Sequence, residues 1–160
     1  MIKELSESLR YVGHYFALCF LRISIGIYVW QWGWAKWTGN YLTDPILAGN
    51  IEQWAVKNRP PFFIETLFTD YMTTYWSVVA YAQTIFELLA GFLLIIGFCV
   101  RPTSLLLVVY FWFFSYIEPQ TSWNFINLFL LSLFTVSWAG AGRCLGIDYY
   151  FYKRRRGLLW

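Results

Sequence analysis

A chain of 160 residues that is 59% hydrophobic and only 13% charged has too little polar side-chain surface to cover itself in water, which excludes an ordinary soluble domain. Its mean hydropathy of +0.48 and modest formal charge of +3 fit one integral membrane domain with no separate soluble module, and not a nucleic-acid-binding protein. Aromatic residues reach 23%, with ten Trp, more than interfacial belts need. Many must therefore pack between helices, or against other subunits, lipids or ligands.

The first residues place Glu4 and Glu7 beside Lys3 and Arg10, with no small-residue cleavage site before the apolar run. A removable signal peptide is therefore not expected. The first predicted span covers about residues 14–37 and ends in Trp30, Trp32, Trp34 and Trp37 around Lys36. Indoles at headgroup level and a snorkelling lysine would anchor that end. Arg22 is the exception within the span, about two turns inside.

Residues 38–74 form a long polar connection. Within it, Asp44-Pro45 is a helix start signal, and Ile46, Leu47, Ile51, Trp54 and Ala55 are spaced for one apolar face. An amphipathic helix lying on the membrane surface or capping the bundle is expected there. Pro60-Pro61 breaks it, and a further interfacial helical turn is expected before the second span.

The second span, residues 75–97, carries Gln83 and Glu87 four residues apart on one helical face. A carboxylate at that depth costs several kcal/mol unless it is protonated, paired or hydrated. Pro102 is expected to start the third span, residues 103–117, and Glu118-Pro119-Gln120 turns the chain into the fourth, residues 123–141. The tail, residues 142–160, holds Lys153, Arg154, Arg155 and Arg156. The expected fold is thus all-α, an integral membrane four-helix bundle. Its basic tail and the Arg101 turn put both termini on the cytoplasmic side and the 38–74 loop outside.

With that topology Arg22 lies about 10 Å, and Glu87 about 15 Å, from the cytoplasmic ends of their helices. An Arg22–Glu87 pair supported by Gln83 is expected, specifying helix register more than adding stability. Three roles for Glu87 stay open: a structural ion pair, a ligand or proton site such as one holding a quinone head group, and a contact with another subunit. Arg101 and Arg143 reach the cytoplasmic face, where they anchor the bundle or grip an anionic lipid headgroup. Lys36 and Glu118 make a candidate outer-face pair. Cys19, Cys99, Cys144 and the single His14 show no metal-ligand spacing, and no metal is expected. No histidine pair for haem, Gly-rich nucleotide loop or catalytic triad is visible, so catalysis by this chain alone is not expected.

Arg22, Gly26 and Gly33-Trp34-Ala35-Lys36 in the first helix, Glu87-Leu88-Leu89-Ala90-Gly91 with Gly97 and Arg101 after it, and the closing Ala139-Gly140-Ala141-Gly142-Arg143-Cys144-Leu145-Gly146-Ile147-Asp148 together resemble the DoxX/DoxD family over about residues 18–150. The long first loop and the ending look most like the DoxD-type small membrane subunit of thiosulfate:quinone oxidoreductase. The resemblance implies a bacterial or archaeal cytoplasmic (inner) membrane protein, often associated with oxidoreductase complexes. It departs from the common pattern at Trp32, where members often have histidine. Three functions compete: an accessory subunit of a respiratory or other electron-transfer complex, the membrane subunit of thiosulfate:quinone oxidoreductase, and a small transporter or lipid-binding protein. No internal inverted repeat favours the last. The partners implied are membrane lipids and other membrane subunits, with no covalently held cofactor and quinone as the candidate diffusible one.

Overall fold

The computed structural model describes residues 16–58, 65–114, 117, 123–143, 146–148 and 150. Every regular element among them is helical: α1 (Phe16–Thr38), α2 (Ile46–Asn58), a π-helical turn (Leu67–Met72), α3 (Trp76–Ile96), α4 (Val100–Phe114), α5 (Trp123–Ala139) and a short 3-10 turn (Ala141–Arg143). Helices α1 and α3 are each long and apolar enough to cross a membrane, while α4 and α5 are shorter apolar helices.

Helix α3 begins directly after Tyr75 and stops at Gly97, whose left-handed φ of 75° lets its N–H bond back to the Leu93 carbonyl. A glycine in that conformation closes a helix without a Cβ penalty. Helix α4 starts at Val100, three residues ahead of the third span expected from sequence. Pro102 falls inside its first turn, where no i−4 partner is needed for an N–H and the missing donor costs nothing.

Helices α1 and α3 make the most extensive contact, and α4 against α5 the next. The α1–α3 contact is antiparallel: Gly26 faces Gly91 and Ile95, while Gly33 faces Leu88 and Glu87. A Cβ placed on Gly91 would lie 2.7 Å from the Trp30 backbone nitrogen and 2.9 Å from the Gly26 carbonyl oxygen. Small residues thus let two backbones touch and fix their register.

Exposure runs opposite to that of a water-soluble protein. Arg22 and Glu87 are 0% and 1% exposed, and Gln83, Thr84 and Ser104 are buried too, whereas Trp138 is 80% and Leu128 71% exposed. The apolar interior has two centres. Ile25, Val29, Leu94, Val100, Leu107 and Leu133 belong to the larger. Leu47, Ile51, Phe68, Ala80 and Ile117 form the smaller, which brings α2 and the π-helical turn together with α3. Three of the five residues expected on the apolar face of α2, Leu47, Ile51 and Ala55, are buried.

Part of the aromatic surplus sits between helices. Trp32, Phe111 and Phe129 form a ring cluster with centroids 5.1–5.8 Å apart, joining α1, α4 and α5. Trp32 is therefore a packing residue in this chain. On α2, by contrast, a Cβ at Gly49 would meet nothing within 4 Å. Gly49→Ala is expected to raise stability by about 0.5–1 kcal/mol by restricting the unfolded chain, read as a higher melting temperature in detergent.

Candidate functional site

Gln83 and Glu87 share the buried face of α3, and three other segments converge on them. Lys36, in the last turn of α1, donates from Nζ to Glu87 Oε1 at 2.8 Å. Tyr110 of α4 donates its hydroxyl to the same oxygen. Tyr41, just beyond α1, donates to Gln83 Oε1 at 2.9 Å, and the Lys36 ammonium lies 5.1 Å from the centre of the Tyr41 ring. One carboxylate thus holds an ammonium and a phenol, with an amide and a second phenol alongside. Desolvated charge pairs in such low-dielectric surroundings are costly to break, because either partner alone is left uncompensated.

The expected Arg22–Glu87 pair is corrected by this arrangement. Gly33, not Arg22, is level with Glu87, and eleven residues of helix separate Gly33 from Arg22, an axial distance of about 16 Å. Cα–Cβ bonds also tilt toward a helix N-terminus. On α1 that tilt sends Arg22 away from Glu87 and turns Lys36 inward, toward it. Lys36, its side chain only 14% exposed, binds Glu87; Glu118, its expected outer-face partner, lies outside the described residues. The placement of Gln83 beside Glu87 follows from their four-residue spacing.

Arg22 organises the opposite end. Its Nη1 donates to the Ala141 carbonyl at 2.9 Å, and its guanidinium lies against Gly97 and Gly146. There Asp148, 2% exposed, accepts from the Cys99 amide at 2.7 Å with Oδ1 and from the Val100 amide at 3.0 Å with Oδ2. Those are N–H groups at the start of α4, so Asp148 is a helix cap supplied from 48 residues away. Its own N–H donates to the Gly97 carbonyl at 3.0 Å. A Cβ on Gly142 would come within 2.8 Å of Val100 Cγ2 and closer still to the Asp148 carboxylate, which explains a glycine in the closing motif.

Burial pushes the Asp148 carboxyl above its ordinary value, opposed by the Val100 and Cys99 amides and by the charges of Arg22 and Arg101. Burial, and then the Asp148 charge, raise the Cys99 thiol, which keeps it neutral. Cys99 also holds a positive φ of 50°, a conformation costly for a non-glycine residue. Asp148→Ala, which frees two amides and unpins Cys99, is expected to cost about 1–3 kcal/mol in a detergent melt.

Arg101 places its guanidinium beside Gly140 and within the field of Asp148. Arg143 belongs to the 3-10 turn after α5, and its side chain is outside the described part. Cys19 and Cys99 are free thiols; His14 and Cys144 lie outside the described residues. Among the described residues, no three His, Cys, Asp or Glu side chains group to hold a metal ion.

Sequence reasoning missed Tyr41, Tyr110 and the capping role of Asp148. Tyrosine is common here, twelve in the chain, so neither phenol stood out. Helical spacing does put Lys36 three residues from Gly33 on the face that meets α3, and that signal identifies the partner of Glu87.

A family model described as DoxX matches residues 17–117, a stretch that holds all five members of the Lys36–Glu87 cluster and ends before α5 and Asp148. Comparison with curated proteins gives no match, and comparison with solved structures gives none either.

Proposed function

The chain belongs to the DoxX family, and we propose that it is an integral membrane four-helix bundle acting as an accessory subunit of an electron-transfer complex. One observation carries this reading: many large apolar side chains of α1, α3, α4 and α5, Phe20, Leu89, Leu106 and Leu128 among them, are exposed while Arg22, Gln83 and Glu87 are enclosed. A lipid-facing body with a charged interior is built to sit among membrane partners. The proposed site is a bacterial or archaeal cytoplasmic membrane, with both termini on the cytoplasmic side and the loop bearing α2 outside. Purification from native membranes in mild detergent tests the reading. Stoichiometric recovery of oxidoreductase subunits is expected, and a monodisperse chain free of partners would contradict it.

The Lys36–Glu87–Tyr110 cluster favours a second reading, in which the subunit serves a thiosulfate:quinone oxidoreductase. A quinone supplies a two-electron, two-proton acceptor and needs hydrogen-bond donors at its carbonyl oxygens. Tyr110 and Lys36 are such donors, and Glu87 is positioned to hold or pass a proton to Tyr110. Phe86 and Phe114, whose rings lie 5.0 and 4.8 Å from that of Tyr110, offer flat apolar walls. Thiosulfate-dependent reduction of a quinone analogue by membranes, lost on Glu87→Gln while the protein level holds, is the expected result. Undiminished turnover in that variant would remove Glu87 from the chemistry.

A further inference from the structure

We propose that the outward face of α5 is a dimer seam, on which a second copy of this chain packs its own α5 and the two Asn127 amides hydrogen-bond to each other. This inference is independent of the electron-transfer reading and rests on the lipid side of the fold.

Helix α5 (Trp123–Ala139) turns Ile126, Phe129, Leu133 and Val136 into the bundle. Its opposite face exposes Asn124, Asn127, Leu131, Phe134 and Trp138. Those residues follow one another at alternating intervals of three and four, the a and d spacing of a coiled-coil seam. Two such rows meet in membranes at left-handed crossings of about 20°. The spacing alone would suit lipid equally well; the asparagine does not.

Asn127 carries two N–H donors and an oxygen acceptor. It is exposed, and among the described residues it makes no hydrogen bond. Its neighbours differ, for Ser132 donates to the Phe129 carbonyl and Thr135 to the Ser132 carbonyl, both at 2.7 Å, which satisfies each hydroxyl on its own helix. Depth keeps water from the amide. Ala139, where α5 ends, is twelve residues away, about 18 Å, and Arg101 beside the following Gly140 marks the charged boundary. Phe125 and Phe129, on either side of Asn127, pack on Tyr28 with centroids 5.8 and 6.0 Å away. Tyr28 itself is ten residues, about 15 Å, short of the end of α1. An amide so far inside a hydrocarbon layer about 30 Å thick is costly until another polar group pairs with it.

A second copy meets that need better than an unrelated helix. Copies inserted in one membrane share an orientation, so a two-fold axis along the membrane normal brings both Asn127 side chains to the same depth. A primary amide is its own complement, each N–H donating to the other's oxygen. Asn124 repeats the arrangement one turn away. Leu131 and the stacked rings of Phe134 and Trp138, with centroids 6.1 Å apart, supply the apolar remainder, and a polar pair in such a seam also fixes its register.

Sedimentation equilibrium of the purified full chain in density-matched detergent reads the association. The wild type is expected to dimerise. Asn127→Leu should raise the dissociation constant about tenfold, as loss of an interhelical hydrogen-bonded pair implies, with helical ellipticity unchanged. Trp138→Ala should weaken the dimer too, whereas Leu89→Ala, exposed but on α3, should not. In lipid vesicles, oxidation of Leu131→Cys should link two copies above the background of the native cysteines, and Leu89→Cys should not. A monomeric wild type would overturn the proposal, as would a dimer indifferent to both Asn127→Leu and Trp138→Ala, or one linked only through Leu89→Cys. Recovery of a different membrane protein on α5, with no second copy present, would do so as well. A dimer recovered without oxidoreductase subunits would uphold this proposal and contradict the electron-transfer reading.

Discussion

Glu87→Ala lowers the stability of the detergent-solubilised protein by about 3–5 kcal/mol, the cost of leaving a buried charge without its partner. The Lys36 ammonium, on a side chain 14% exposed, loses a 2.8 Å contact with its counter-charge. Tyr110 loses its acceptor at the same time. Glu87→Gln is expected to fall between wild type and Glu87→Ala, because an amide oxygen still accepts from Tyr110 while the charge opposite Lys36 is gone. Replacing Lys36 by Met in the Glu87→Ala background should recover much of the loss, since an uncharged stem of similar length no longer needs a counter-charge. Thermal melts followed by helical ellipticity measure all four proteins side by side.

The second large effect is expected at the α1–α3 contact. Gly91→Ala would set a methyl group 2.7 Å from the Trp30 backbone nitrogen and 2.9 Å from the Gly26 carbonyl oxygen. Backbone atoms cannot rotate aside as a side chain can, so the helices must separate. A loss of about 1–3 kcal/mol follows from overpacking, and Gly91→Val should exceed it. The separation also has a functional reading, because the same contact fixes the register that brings Lys36 to Glu87. Gly91→Val should therefore weaken the Lys36–Glu87 coupling as well as the fold. Melts of Gly91→Ala and Gly49→Ala in one detergent give opposite signs on this account.

How far the amino-acid order alone reveals this arrangement depends on the kind of inference. Apolar runs with two polar residues four apart identify α3 and its buried face, because periodicity is local and lipid leaves polar groups few places to go. The partner of Glu87 was misread as Arg22, since depth counted from helix ends ignores two things. One is the register fixed by Gly26 against Gly91; the other is the tilt of side chains toward a helix N-terminus, which separates Arg22 from Glu87 and delivers Lys36 instead. Asp148 was visible as the last residue of a motif, yet its work as the cap of α4 depends on a chain reversal that brings residues 48 apart together. The early start of α4 has the same origin, for the cap at Cys99 and Val100 comes from elsewhere in the chain and leaves no local signature. The tyrosines stayed hidden because tyrosine is equally at home at a membrane interface and in a hydrogen-bonded interior.

The two arginine- and lysine-bearing ends of α1 divide the labour. At the Lys36 end a charged pair and two phenols tie α1 and the turn after it to α3 and α4. At the Arg22 end the closing glycine-rich motif, through Asp148, fastens the turn between α3 and α4. The matched family stretch contains the first group and Arg22, while Asp148 lies beyond it.

A double-mutant cycle on Lys36→Met and Glu87→Gln, run beside a second cycle on Arg22→Gln and Glu87→Gln, tests the centre of this account most directly. Coupling of at least about 1 kcal/mol in the first cycle and none beyond the usual additivity error in the second is the predicted result. Additive behaviour of Lys36 with Glu87, or coupling that appears only with Arg22, would contradict it.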